Sequence, residues 1–330
     1  MRAKKDWVRL LGWSSVLTLG LFLAYLSSGS VDMPLQDLVS VILRGPNPND
    51  GVQNLILWQI RMPRALACAF AGAALGVVGA TFQALFRNAL AEPYVIGVSS
   101  GAAVGGTFAV LLGMDFGLAR VALAIIGSLL SLVFVLMIAR KQGGVNVASL
   151  LIGGVVIGSL LSGVVTLNLS LAGMDTGKIL WWLLGSTNPM FWDRTVVLGV
   201  SVVLAMAVLY RQSRALNAFA VSEFMADRQG VAIGRLKGIV LFTSAALTGV
   251  TVGTVGIIGF VGLVAPHISR RIVGSDLRLS MPLSAALGST LLLAADIAAQ
   301  RLRPGSELPL GAVTAVLGAP VLLWLISKDN

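Results

Sequence analysis

The stretch "RMPRALACAFAGAALGVVGATFQALFRNAL", Arg61 to Leu90, sets the character of the whole chain. From Ala65 to Phe86 it carries no charged residue. As a helix, that run is long enough to cross a hydrocarbon core about 30 Å thick. Gly72, Gly76 and Gly79 recur at helical spacing. Small residues on one face let a second helix come close in lipid, where no hydrophobic force drives association. The stretch is therefore expected to be a tightly packed membrane span.

The same pattern continues outward in both directions. The chain is 56% hydrophobic and 12% charged, where a soluble domain carries about 25% charged residues. Breaking the apolar runs at polar residues, glycines and prolines gives about ten spans: 7–28, 63–86, 93–113, 118–139, 148–171, 191–210, 237–257, 258–272, 280–300 and 309–327. The eighth is short and interrupted by Pro266, and "GVTVGTVGIIG" in the seventh and eighth repeats the glycine spacing at Gly249, Gly253, Gly256 and Gly259. The first apolar run is longer than a signal-peptide core and no small-x-small site follows it, so it is expected to be retained. The fold class is an all-α polytopic membrane protein, with residues 1–330 forming one membrane domain without linkers.

An even number of spans puts both termini on one side. With the termini in the cytoplasm, sixteen of the 24 Lys and Arg residues fall on the cytoplasmic side and eight outside, the sense the positive-inside rule favours. The outer eight are Arg44, Arg61, Arg64, Arg120, Lys178, Arg194, Arg301 and Arg303. The high pI, near 10.6, follows from this orientation and not from nucleic-acid binding, because the charges sit in short loops. Arg64 opens the second span with Pro93 29 residues on, and Arg235 opens the seventh with Pro266 31 residues on. The spacing hints at two halves running in opposite directions, as inverted transporter repeats do.

Chemistry inside a membrane needs clustered ionisable groups at depth. Glu92 falls in a cytoplasmic loop, and Asp296, near the outer end of the ninth span, is the one candidate for an ion-coupled carrier. His267 is the only histidine and has no cysteine nearby, so neither a zinc nor a haem site can be built around it. Cys68 is the only cysteine and lies in an apolar run, which excludes a disulfide framework. "GMDTGKIL" has a Gly-Lys pair at the wrong spacing for a phosphate loop, with Ile179 where Ser or Thr is required. No cofactor and no nucleotide site follow from these residues, so energy for transport has to come from a partner. The longest cytoplasmic connection, Arg211 to Lys237, is where a partner would push. Within it Ala218 to Gln229 is expected to form one short amphipathic helix exposing Phe219, Phe224 and Met225. An interfacial helix lying on lipid headgroups explains those residues equally well.

Three stretches closely resemble the permease subunits of type II ABC importers: "RMPRALACAFAGAALGVVGATFQALFRNALAEPYVIGVSSGAA", "GFVGLVAPHISRRIVGSDLR" and "ELPLGAVTAVLGAPVLLWLI". That family takes up iron-siderophores, haem and cobalamin. The resemblance covers nearly the whole chain with the motifs in matching order. It implies a ten-span, inverted-repeat permease in the inner (plasma) membrane, paired with a second permease copy as a homodimer. Such a dimer sits on two ATP-binding subunits, where the ATP is hydrolysed, and receives substrate from a binding protein outside. The permease would itself be no enzyme. The rival is an ion-coupled secondary carrier acting without an ATPase.

The resemblance also implies roles for single residues. Arg61 and Arg64 of "RMPR" match outward arginines that grip glutamates on the binding protein. The third such arginine is expected at Gln300, and Arg301 one residue later takes its place. In "RNALAEP", Asn88 and Leu90 match the cytoplasmic gate, with Ala89 where the family has proline. The stretch Asn146 to Ser149 fits the second gate loop. The loop from Ala218 to Arg235 corresponds to the coupling helices, which makes Phe219, Glu223, Phe224, Met225 and Gln229 the ATPase contacts. "PH" followed by arginines recurs whatever the substrate, so His267 is expected to be scaffolding that caps or packs an interrupted helix.

Overall fold

In a hydrocarbon core every backbone N–H and C=O must be satisfied within the chain, which leaves helices as the spanning element for runs like these. The computed structural model describes residues 2–29, 33–47, 51–114, 117–141, 146–302 and 307–327, and no strand occurs among them. The helices are α1 (Arg2–Ser27), α2 (Leu35–Arg44), α3 (Val52–Leu55), α4 (Met62–Phe86), α5 (Val98–Leu111), α6 (Leu118–Lys141), α7 (Val147–Leu171) and α8 (Thr176–Leu183). They continue with α9 (Trp192–Arg211), α10 (Ser213–Val221), α11 (Glu223–Arg228), α12 (Ile233–Val255), α13 (Val261–Val273), α14 (Leu277–Arg301) and α15 (Leu310–Ser327). Each expected span falls on a helix. Six are long and apolar enough to cross a membrane by themselves: Val52–Phe86, Leu118–Arg140, Val147–Leu171, Trp192–Arg211, Ile233–Val255 and Leu277–Arg301. The other four expected spans fall on α1, α5, α13 and α15. Of the outer cations, Arg303 lies outside the described residues.

Two four-helix units, α4–α7 and α12–α15, repeat one packing pattern. Within the first, α5, α6 and α7 touch one another; within the second, α13, α14 and α15 do the same. The leading helices are exchanged: α4 packs on α13 and α14, and α12 packs on α5 and α6. The glycine stripes make both exchanges possible. A Cβ at Gly76 would lie 2.1 Å from the Ser284 carbonyl oxygen of α14, and one at Gly253 would lie 2.8 Å from the Val121 Cα of α6. Backbones this close admit no side chain.

Three local expectations are corrected. The second span does not open at Arg61–Arg64: α3 and a π-helical turn over Ile56–Arg61 run directly into α4, so both arginines lie well inside a 35-residue helix. The glycine periodicity of α12 stops at Gly253, because Gly256 (φ 75°) caps the helix and Gly259 lies in the linker to α13. The break therefore precedes α13, and Pro266 does not interrupt it. A proline at that position frees the carbonyl four residues back, and the Gln83 amide donates to the Gly262 and Leu263 oxygens at 3.5 and 3.4 Å. His267, one residue on, is buried within a continuous helix and does not cap a broken one.

Candidate functional site

The chemistry-bearing residues gather at the two ends of α4. At the outer end, Arg64 is only 8% exposed. Its guanidinium presents one edge to Asp296, with Nε 3.0 Å from Oδ2 and Nη2 3.0 Å from Oδ1. Nη1 donates to Glu307 Oε1 at 2.5 Å, and Nε also reaches Thr187 Oγ1 at 3.1 Å. Asp296 is 1% exposed and accepts further hydrogen bonds from Tyr25 of α1, Thr187 and Gln300. Thr187 reaches this point because the strand-like loop after α8 is tied down on both sides. Ser186 N donates to Val255 O, and Leu310 N donates to Gly185 O. The cluster thus joins α1, α4, α14 and the loops that precede α9 and α15. A buried ion pair persists when its remaining lone pairs and protons are satisfied, and this one is.

The three expected docking arginines fall in different surroundings. Arg61 is buried and donates to the Leu26 carbonyl at 2.7 Å. Arg64 is held as above. Arg301 is exposed, with Nη2 on Ser28 Oγ at 2.8 Å. Asp296, the one carboxylate that could have served an ion-coupled carrier, is committed to a guanidinium.

At its C-terminal end, α4 stops at Arg87, whose left-handed backbone (φ 49°) turns the chain into the segment that carries Asn88 and Leu90. Asn88 and Leu90 are both exposed there, and Leu90 N donates to Asn88 Oδ1 at 2.9 Å. Glu92 follows in the same loop, and burial pushes its carboxyl up to about 7. Asn146 caps α7, its Oδ1 accepting from Ser149 N at 2.8 Å, and Ser149 is buried. The four residues before Asn146 lie outside the described residues.

The connection from Arg211 to Lys237 departs from the single helix expected over Ala218–Gln229. Ser222 is extended (φ −161°), and its side chain caps α11 by accepting from Met225 N, so two helices form in place of one. α10 is pinned. Asn217 donates to Asp276 Oδ1 at 2.7 Å and accepts from Leu277 N at 3.0 Å, while hydrogen bonds from Arg278 hold the Asp276 carboxyl down at about 2. Phe219, expected to be exposed, is fully buried. The Arg87 guanidinium lies 4.8 Å from its ring centroid and Lys237 Nζ lies 5.4 Å from it. Glu223 Oε1 binds Lys237 Nζ at 2.7 Å, and its Oε2 lies 3.9 Å from Arg87 Nη2. α11, by contrast, projects: Phe224 is 62% and Met225 51% exposed. Met225 and Gln229 help line a groove of about 400 Å³ together with Arg214, Asn217, Ala218, Val221 and Arg278. Among the described residues, no group of three His, Cys, Asp or Glu side chains is placed to hold a metal.

The bundle with exchanged lead helices, an anchored N-terminal end of α4 and a projecting α11 can be compared with known proteins. The FecCD transport family model matches residues 17–328. The chain belongs to the FecCD transport family. The vitamin B12 import system permease protein BtuC of Vibrio cholerae is 36% identical over 96% of this chain and 94% of its own length. The Escherichia coli O6:H1 protein of the same name is 38% identical over 83% of this chain and 84% of its own. Among solved structures, an inward-facing metal-chelate type ABC transporter superposes with a TM-score of 0.86 at 29% identity, covering 97% of this chain and 99% of that one. PsaBC from Streptococcus pneumoniae shares the fold at a TM-score of 0.59 and 18% identity, over 87% and 95% of the two chains. The type II ABC importer permease fold expected from the sequence motifs is the fold of this chain.

Sequence reasoning missed Arg87, Lys237 and the role of Asp296 as Arg64's partner. Each depends on contacts between residues far apart in the chain, and no local pattern announces them. Ser222 did carry a local signal, a helix-capping serine followed by an acid.

Proposed function

We propose that this chain is the permease subunit of an ATP-driven, binding-protein-dependent importer that passes a metal chelate or cobalamin into the cytoplasm. The observation that carries this reading is the divided segment between α9 and α12: α10 is pinned to α14, while α11 projects Phe224 and Met225 beside a groove lined in part by Arg214 and Arg278. A carrier working alone has no use for such a surface. The relatives' names and the metal-chelate transporter fold favour a bulky chelate (iron-siderophore, haem) or a corrinoid as substrate.

The chain would cross the inner membrane ten times as one domain, with both termini cytoplasmic, and sit on two ATP-binding subunits. A second copy would cover α7. That helix exposes Ser159, Ser162, Gly163, Thr166 and Ser170 along one side, and small polar residues suit a wet pathway between copies better than lipid. Asn88, Leu90, Asn146 and Ser149 would close its cytoplasmic end. On the outer face Arg301 is the accessible docking cation. Arg61 and Arg64 are buried, and a docking carboxylate would reach Arg64 by taking Glu307's place on Nη1.

The test is co-purification of the permease with its ATPase subunit. Phe224→Asp places a charge on the projecting helix and should abolish recovery of the ATPase while the permease remains inserted. Normal recovery would make α11 an interfacial helix and sink the coupling assignment.

A further inference from the structure

Four elements meet at Phe219: α10 supplies the ring, α4 supplies Arg87, α12 supplies Lys237, and α11 supplies Glu223, which touches both cations. Two of these parts are soft. The Arg87–Glu223 contact is long, at 3.9 Å, and the two side chains are 38% and 44% exposed. Exposed pairs of this kind contribute little to stability, and a cation over an aromatic ring adds only modestly when it is open to water. Arg87 also holds a left-handed backbone that costs an ordinary L-residue energy. Stability alone does not account for an arginine here, since glycine would adopt φ 49° without strain.

The placement accounts for it. Arg87 is the residue immediately before Asn88, and its side chain reaches the first residue of the projecting helix α11. The other two partners, Phe219 and Lys237, are buried and keep the joint seated. From this geometry we infer that Arg87 is a positioning residue that carries movement of α11 into the cytoplasmic gate turn. The inference rests on α11 being the ATPase-coupling element. A displaced α11 pulls Glu223, Glu223 and Phe219 hold the guanidinium, and the guanidinium sets the turn that carries Asn88 and Leu90. A coupling route needs an element with two arrangements that both sites bias; the left-handed turn at Arg87, seen here in one arrangement, would be that element.

The experiment uses the assembled transporter in nanodiscs, with spin labels at Leu90→Cys in one preparation and Asp227→Cys in another. Cys68 is buried and stays unlabelled. Distances between the labels of the two copies are measured with and without ATP and vanadate. Asp227, exposed on α11, should respond in the wild type and in Arg87→Gly alike. At residue 90 the ATP-driven distance change should fall by roughly threefold or more in Arg87→Gly. Arg87→Lys, which restores a cation over the ring, should recover it. Glycine fits the left-handed turn, so loss in that variant belongs to the side chain. A full response at residue 90 in Arg87→Gly overturns the inference while leaving the coupling role of α11 intact. Loss of the ATPase from Arg87→Gly would make Arg87 an assembly residue and overturn it as well. No response at residue 227 in the wild type would remove the coupling reading and the inference together.

Discussion

Both ends of α4 carry an arginine next to an acid, and the two arrangements could hardly differ more. At the outer end Arg64 is buried and every edge of its guanidinium is occupied, by Asp296, Thr187 and Glu307. At the cytoplasmic end Arg87 is 38% exposed, with one carboxylate at 3.9 Å and one ring beneath it. Breaking a buried pair from one side costs about 3–5 kcal/mol, whereas an exposed pair is worth about 0–1 kcal/mol. The outer cluster therefore fastens α4 to its neighbours, and the inner one lets α4's last turn follow whatever α11 does. The same residue type serves as anchor or as joint according to burial and the number of its partners.

The contrast is broken most directly at the anchor. Asp296→Ala leaves Arg64 buried beside half its partners and should lower stability by about 3–5 kcal/mol, read as a drop in the thermal midpoint of the permease in detergent. Arg87→Gly should change the same midpoint little. Equal losses in the two variants would mean that both ends are anchors.

Glu92, beside the joint, sharpens the comparison through pH. Its carboxyl is raised from about 4.5 to about 7 by burial, so the fold favours the protonated form. That contribution is fully present below about pH 4.5 and is lost as pH rises through about 7. Glu92→Gln should remove this dependence and leave the protein more stable than wild type at pH 8, by roughly 1–3 kcal/mol. A wild-type fall in midpoint between pH 5 and 8 that survives in Glu92→Gln would assign it to another group.

The smallest effect concerns docking. Arg301→Glu should weaken binding-protein affinity for the assembled transporter at low salt by about 1–2 kcal/mol, mostly through the association rate. Glu307→Ala, which removes the acceptor on Nη1 of Arg64, should strengthen it slightly. Unchanged affinity in both variants would move the docking surface away from this cluster.

The ten expected spans could be read from the sequence because each is an apolar run, and lipid leaves such a run no other regular structure. The glycine stripes announced close packing but not which helices would meet; that needed the exchange of α4 and α12. Arg61 and Arg64 were expected at a helix mouth, since the preceding segment, with Gln53, Asn54 and Gln59, is too polar to read as a span. Its π-helical continuation into α4 is what draws both arginines inside. The pairing of Arg64 with Asp296 joins residues 232 apart, which no local pattern reveals. Phe219 looked like a surface residue because its neighbours Phe224 and Met225 are, and its burial depends on Arg87 and Lys237 from other helices.

Import itself is tested most directly in proteoliposomes containing the permease, its ATPase subunits and its binding protein. Radiolabelled cyanocobalamin and a ferric siderophore serve as the two probes. One of them should accumulate above its external concentration when ATP is present on the ATPase side, and neither should accumulate when the ATPase subunits are left out. Accumulation by the permease alone, driven by a proton or sodium gradient, would contradict an ATP-driven importer.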